Sequence, residues 1–176
     1  MLAGLNKEGV SGKPSVILMD LGKVLLYSKE ELSGKMNPRH KDLLDKEGDN
    51  YPFYDYFGVN DKLLQLLASL KDKLRIYMLT EGTIQNHPPL RERLETAFDF
   101  DNIFSAGTLG LDKKKPVAYE HVVQKLGVEP SDIVFIDDSL DNLDAASQVG
   151  LQVIQSKSED QVISDLKSRL GIENEK

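Results

Sequence analysis

The feature that most limits what this chain can become is a series of five short apolar runs set between stretches of helical period. The runs lie within Ser15 to Val24 (SVILMDLGKV), Leu74 to Thr80 (LRIYMLT), Asn102 to Ser105, Ile133 to Asp137 (IVFID) and Leu151 to Gln155 (LQVIQ). Each is of strand length and bounded by turn residues, and each is apolar without alternation, as strands buried on both faces are. Between them the period changes. Leu63, Leu66, Leu67 and Leu70 recur at helical spacing behind Asn60. Pro88 and Pro89 open a helix over Leu90 to Ala97, and Pro116 opens one whose face is Tyr119, Val122, Val123 and Leu126 and whose stop is Gly127. Leu143, Ala146 and Val149 mark a helix ending at Gly150. Ser158 and Gln161 form a capping box for a last helix, with Ile163, Leu166 and Leu170 inward and Gly171 as its end. Strands alternating with helices in this way predict a doubly wound, Rossmann-like α/β domain: a five-stranded parallel sheet covered on both faces.

A sheet of this kind binds ligands at the carboxyl ends of its strands. Those ends are polar here. The first run delivers Asp20 and then turns at Gly22, the second ends at Thr80, and the fourth ends in Asp137-Asp138-Ser139. Lys115 stands at the start of the helix that Pro116 opens. Taken singly, each has an ordinary explanation: a turn cap, a strand-end hydroxyl, a surface charge, and an acidic pair at a helix N-terminus. Taken together they describe a site. Carboxylates converging on one edge repel unless a cation joins them, and an all-oxygen donor set that keeps several waters suits Mg²⁺. A lysine and a hydroxyl beside them supply what the oxygens of a phosphoryl group need.

Composition narrows the class. With 176 residues the chain is expected to form one domain. The formal net charge of −7 argues against a nucleic-acid partner, since no basic face is evident. No apolar run approaches the length of a membrane span, and MLAGLNKEGVSGKP lacks the apolar stretch of a signal peptide, so neither membrane nor export is expected. There are no cysteines, which excludes thiolate chemistry and fits a cytoplasmic location. The Gly-rich fingerprint of dinucleotide-binding enzymes is missing as well.

The blocks VILMDLGKV, IYMLT, KKP and IVFIDDSLDN, in this order and the last followed by AASQVG, resemble the four motifs of the haloacid dehalogenase-like (HAD) superfamily, in its branch of small phosphatases. The resemblance runs from Ser15 to about Leu170 and is loosest between Leu26 and Asn60. It implies a hydrolase acting on a small phosphorylated molecule. In it Asp20 is the nucleophile that forms an aspartyl-phosphate, Thr80 hydrogen-bonds the transferred phosphoryl group, and Lys115 holds nucleophile and phosphate together. Glu81 and Lys23 join Thr80 and Lys115 as candidate phosphate contacts. For Mg²⁺ the resemblance implies the Asp20 and Asp138 side chains, the Gly22 carbonyl, and Asp137 as ligand or neighbour, with Asn142 in support.

One position departs from the pattern. Most phosphatases of the superfamily carry a second aspartate two residues after the nucleophile, as acid to the leaving group and base to the water; here it is Gly22. A glycine offers a carbonyl but no proton, and the loss of a general acid or base typically costs about 10²- to 10⁴-fold. Branches with Asp-x-Gly at this place are generally taken to be hydrolases. Two other readings therefore stand beside the phosphatase: a weak or inactive relative that binds a phosphorylated ligand or a protein, and a metal-independent 2-haloacid dehalogenase, for which Asp137-Asp138 would have no use.

The expected organisation is a loose leader over 1–14, one domain over 15–170 and a tail over 171–176. About 60 residues separate Asp20 from Thr80, so an insertion over about 27–59 forms at most a small cap. The site is then open, or closed by the partner subunit of a homo-oligomer. Within that insertion Lys29 to Lys46 reads as partly helical and Asn50 to Val59 as irregular. The aromatic residues from Tyr51 to Phe57 fit either a substrate pocket or core packing. His40 and His87 lie in segments that could approach the site.

Overall fold

The computed structural model describes residues 12–29 and 39–172. Its centre is a five-stranded parallel sheet. The strands are β1 (Val16–Met19), β4 (Arg75–Thr80), β5 (Ile103–Ser105), β6 (Ile133–Asp137) and β7 (Gln152–Gln155), and the spatial order is β5-β4-β1-β6-β7. All four side chains of β1 are 0% exposed, and burial of residues like these contributes about 1.5–3 kcal/mol each. Their alternation divides the core in two. Ile17 and Met19 point to one side with Met78, Val134 and Ile136, under α3 (Asp61–Leu70) and α8 (Glu159–Leu170). Val16 and Leu18 point to the other with Leu79, Ile133 and Phe135, under α6 (Pro116–Leu126) and α7 (Leu140–Val149).

The connections place the site. From β1 the chain moves outward through β4 to β5, then returns to the opposite side of β1 for β6 and β7. The order reverses between β1 and β6, and such a switch point opens a crevice at the carboxyl ends of its strands. Met19 pairs with Ile136, so Asp20 and Asp137 leave their strands at the same level, and the Asp20 amide donates to the Ile136 carbonyl at 2.9 Å.

The helix boundaries follow the sequence closely. Asn60 caps α3 by accepting the Leu63 amide, Ser158 and Gln161 make the capping box of α8, and Gly127, Gly150 and Gly171 end their helices in the left-handed conformation. The helix α4 runs Pro88–Leu94 and so includes both prolines, which suit a first turn whose amides have no partner.

Between β1 and α3 the structure differs from expectation. Asn50 to Val59 is not irregular: α2 (Phe53–Tyr56) leads into β3 (Phe57–Val59), which pairs antiparallel with β2 (Leu26–Ser28). Three-residue strands are too short to show a period, and their pairing is long-range. Helix α1 (His40–Glu47) occupies part of the stretch expected to be helical, and residues 30–38 lie outside the described residues. Residues 1–11 of the expected leader and 173–176 of the tail also lie outside them. Gly12 to Pro14 sit on the fold: the Gly12 carbonyl accepts the Gln152 side-chain amide at 3.0 Å, and Pro14 is buried. No helix among the described residues is long and apolar enough to cross a membrane.

Candidate active site

The turn after β1 is built around one carbonyl. The amides of Val24, Leu25 and Leu26 all donate to the Leu21 oxygen, at 3.4, 3.0 and 2.9 Å. Within that turn Lys23 has φ 59°, a left-handed conformation that costs a side-chain-bearing residue roughly 1–2 kcal/mol. Gly22 has no such strain. A Cβ placed there would meet nothing within 4 Å, and its φ is outside the left-handed range, so the position has room for a side chain.

Asp20 emerges at the start of this turn. Its Oδ1 accepts the Leu21 amide at 2.8 Å and lies 3.0 Å from Lys113 Nζ. The same ammonium stands 3.1 Å from Asp137 Oδ2, and both Lys113 and Asp137 are 0% exposed. Asp137 is further held by the Ser139 amide on Oδ1 at 2.9 Å and the Asn142 side-chain amide on Oδ2 at 3.0 Å. Burying these charges is tolerable only because they are so fully paired. Asp138 lies at the same edge, half-buried, and the three aspartates each offer an oxygen within 4.8 Å of the others. Ser139, not the acidic pair, caps α7.

Three carboxylates face one ammonium here, and the electrostatics reflect the excess. Burial pushes the Asp20 carboxyl up to about 6, with Lys113 pulling it down and Asp137 adding to the rise. Asp138 is raised by burial and then by Asp137, against the pull of Lys23. A further cation would relieve both. The donors are all oxygen, as a hard divalent ion requires, so the residues present fit Mg²⁺.

The lysine of this centre is Lys113, not Lys115. In LDKKKP the Asp112 side chain accepts the Lys114 amide at 2.9 Å and its carbonyl accepts the Lys115 amide at 3.0 Å. This Asx turn leaves Lys114 and Lys115 exposed. Pro116 is the first helical residue, which makes Lys115 the extended N-cap of α6. Lys113 is drawn inward: Tyr119, one turn into α6, donates its hydroxyl to the Lys113 carbonyl at 2.8 Å, and the Phe135 ring lies 5.9 Å from the ammonium. The signal in the sequence was Asp112, which begins the turn two residues before Lys114.

The other candidates are placed as follows. Thr80 is buried at the end of β4, next to β1, and its hydroxyl donates to the Gly82 carbonyl at 2.9 Å. Glu81 is exposed, and its carbonyl accepts the Gly107 amide at 2.9 Å. A Cβ at Gly107 would sit 2.7 Å from that oxygen, so only glycine allows α5 (Ala106–Leu109) to brace the Thr80 loop. Lys23 is exposed. His40 and His87 join the aromatic residues instead of the carboxylates. His87 stacks on Tyr51 and Phe53, with ring centroids 4.7 and 5.3 Å away, and His40 Nδ1 lies 2.6 Å from the Tyr51 hydroxyl. Tyr51, Phe53 and Phe57 are buried in the core.

Residues 16–150 match the model of the haloacid dehalogenase-like hydrolases. The chain belongs to that family. Among curated proteins it is similar to the flavin mononucleotide hydrolase 1 of Arabidopsis thaliana, with 33% identity over 68% of this chain and 47% of that protein. It is also similar to the enolase-phosphatase E1 of Shewanella halifaxensis, with 31% identity over 87% of this chain and 69% of that protein. Against the sesquiterpene phosphatase astK of Aspergillus oryzae the match, at 32% identity, covers 51% of this chain and 46% of that protein. The chain therefore spans about half the length of several of its curated relatives. Its fold is that of a HAD family enzyme of Bacteroides thetaiotaomicron solved with magnesium and inorganic phosphate, with a TM-score of 0.60 at 20% identity over 82% of this chain and 94% of that one. A predicted HAD-like hydrolase of Porphyromonas gingivalis aligns with a TM-score of 0.63 at 16% identity, over 93% and 100% of the two chains.

Proposed function

We propose that this HAD-like hydrolase is a Mg²⁺-dependent phosphatase of a small phosphorylated metabolite, working through an aspartyl-phosphate at Asp20. The observation that carries the reading is the buried Lys113 ammonium, which stands between Asp20 and Asp137 with Asp138 at the same edge. Lys113 holds the nucleophile ionised against the cost of its burial and offers charge to a phosphoryl oxygen. Asp137 has both oxygens engaged, so its part is to anchor Lys113. Asp138, the second Asp20 oxygen and the Gly22 carbonyl are left to hold the ion. When bound, Mg²⁺ screens the carboxylates from the incoming phosphate and neutralises charge on the transferred group.

An Asp20 oxygen attacks phosphorus and the ester P–O bond breaks. Water then attacks the acyl phosphate and releases inorganic phosphate, which restores the carboxylate. Thr80, whose hydroxyl can rotate from the Gly82 carbonyl, and the ammonium of Lys23 at the rim are the further phosphate contacts. Glu81 and Lys115, both exposed, contribute less. Gly22 can give the leaving oxygen no proton, so solvent supplies it and esters with good leaving groups react fastest. The insertion over 27–59 acts as a small cap, the protein works in the cytoplasm, and any closure beyond that cap comes from a second copy of the chain.

Phosphate release from a panel of phosphomonoesters, with and without Mg²⁺, tests the reading on wild type and Asp20→Asn. Release that requires both Mg²⁺ and Asp20 is expected. Its absence would leave a phospho-ligand or protein-binding module, the reading that the missing acid at Gly22 favours, and halide release from 2-haloacids without metal would make the protein a dehalogenase.

A further inference from the structure

Ser156, the first residue after β7, is in contact with both halves of the site while belonging to neither. It is only 7% exposed. Its amide donates to the Asp137 carbonyl at 2.9 Å, and its hydroxyl donates to the Lys23 carbonyl at 2.8 Å. The second bond reaches across β6 to the turn after β1. In that turn the amides of residues 24–26 converge on Leu21, so the Lys23 carbonyl is served from outside it by Ser156. Lys23 is also the one described residue other than glycine with positive φ, and such a conformation persists only where the surroundings over-determine it. Here the restraints are the Ser156 hydroxyl on its carbonyl and the Leu26 carbonyl, 2.8 Å from its amide. The neighbouring Gln155 acts in the same direction, its side-chain amide donating to the Asp138 carbonyl at 3.4 Å.

We infer that Ser156 is a positioning residue for the cation site: with its amide on Asp137 and its hydroxyl on Lys23 it sets the distance between the turn bearing Asp20 and Gly22 and the loop bearing Asp138. The inference rests on the reading of this edge as a Mg²⁺ and phosphate centre. Mg²⁺ demands near-ideal octahedral geometry at short bond lengths, whereas Ca²⁺ accepts longer and more irregular ones. A clamp on the spacing of two ligand-bearing segments therefore matters more to Mg²⁺ than to Ca²⁺.

The test compares metal-depleted wild type with Ser156→Ala and Ser156→Thr, the latter retaining the hydroxyl. Mg²⁺ alone and Ca²⁺ alone are titrated calorimetrically, and hydrogen exchange of the peptide covering residues 20–26 is followed without metal. In Ser156→Ala the Mg²⁺ dissociation constant is expected to rise, by up to the roughly 10- to 100-fold lost when a direct partner of a metal ligand is removed. The Ca²⁺ constant should rise less, and exchange should quicken in residues 20–26 but not across the sheet. Ser156→Thr should stay near wild type in all three readouts. Unchanged Mg²⁺ binding and exchange in Ser156→Ala would overturn the inference, as would an equal weakening of both ions with faster exchange throughout the domain. Should wild type release no phosphate while its Mg²⁺ binding still depends on Ser156, the phosphatase reading falls and the clamp stands.

Discussion

At the carboxyl ends of β1 and β6 a buried ammonium meets two carboxylates at 3.0 and 3.1 Å, whereas between α1 and α4 two imidazoles lie among Tyr51 and Phe53. Both regions bury polar groups, but on different terms. In the first, one buried ammonium lies within ion-pair distance of two carboxylates, the three groups come from three separate segments, and an excess of negative charge is left facing the crevice. In the second, the rings are held by ring contacts and by the hydrogen bond between His40 and Tyr51, and His87 Nε2 is buried with no hydrogen-bond partner among the described residues. Packing alone explains the histidines. It does not explain Lys113, because an apolar core has no reason to gather an ammonium and two carboxylates when hydrophobic side chains of similar size are often at least as stable. The contrast marks the first region as the candidate site and the second as core packing.

The largest effect that would break this contrast is on turnover. Asp20→Asn should reduce phosphate release to the level of the buffer control, while His40→Phe and His87→Phe should leave it near wild type; a phosphate assay on the purified variants checks both. A large loss in either histidine variant, with the fold intact by circular dichroism, would move the aromatic patch into the site. Next comes Gly22→Asp. The position has the room and the backbone conformation for a side chain, so supplying the missing acid should raise kcat toward the 10²- to 10⁴-fold or so that such a group contributes. An unchanged or lower rate would mean that proton transfer does not limit turnover.

Stability sharpens the distinction between the two lysines. Lys113→Met removes the partner of two buried carboxylates and should destabilise the metal-free protein by about 3–5 kcal/mol in urea unfolding. Lys115→Met, at an exposed N-cap, should shift it by less than about 0.5 kcal/mol. Equal effects would contradict the assignment of Lys113.

The smallest effect is the pH dependence of the aromatic patch. Burial holds both His40 and His87 below their ordinary value of 6.5, reinforced at His40 by His87 and opposed at His87 by Asp49. The unfolded chain therefore takes up protons first as the pH falls. Stability from this patch is full above about 6.5 and declines as the pH drops through that value toward the native ones. Urea midpoints between pH 7.5 and 5 should fall less in His87→Phe than in wild type, and parallel curves would show that the histidines are not the cause.

The fold was legible because strands buried on both faces leave an unbroken apolar record, and the caps at Asn60, Ser158 and Gly127 punctuate it. Asp20, Asp137 and Asp138 were legible for the same reason, since a carboxylate at the end of an apolar run is conspicuous. Lys113 was not. Three adjacent lysines look alike in sequence, and the one that turns inward is chosen by two local contacts, an Asx turn at Asp112 and a hydroxyl from Tyr119, of which only Asp112 is a visible cue. The β2–β3 pairing escaped notice because each strand has three residues and the partners lie about thirty residues apart. Nothing in GlnSerLysSer around Ser156 distinguishes the residue that spans two loops.

A phosphoryl group carried on Asp20 can be trapped there. Wild-type protein turning over a phosphomonoester with Mg²⁺ is quenched in acid and reduced with borohydride, which converts an acyl phosphate to an alcohol, and the peptides are mapped by mass. The structure predicts homoserine in place of Asp20, dependent on substrate and lost in Asp20→Asn. Phosphate release without conversion at Asp20, or with conversion at Asp137 or Asp138 instead, would contradict it.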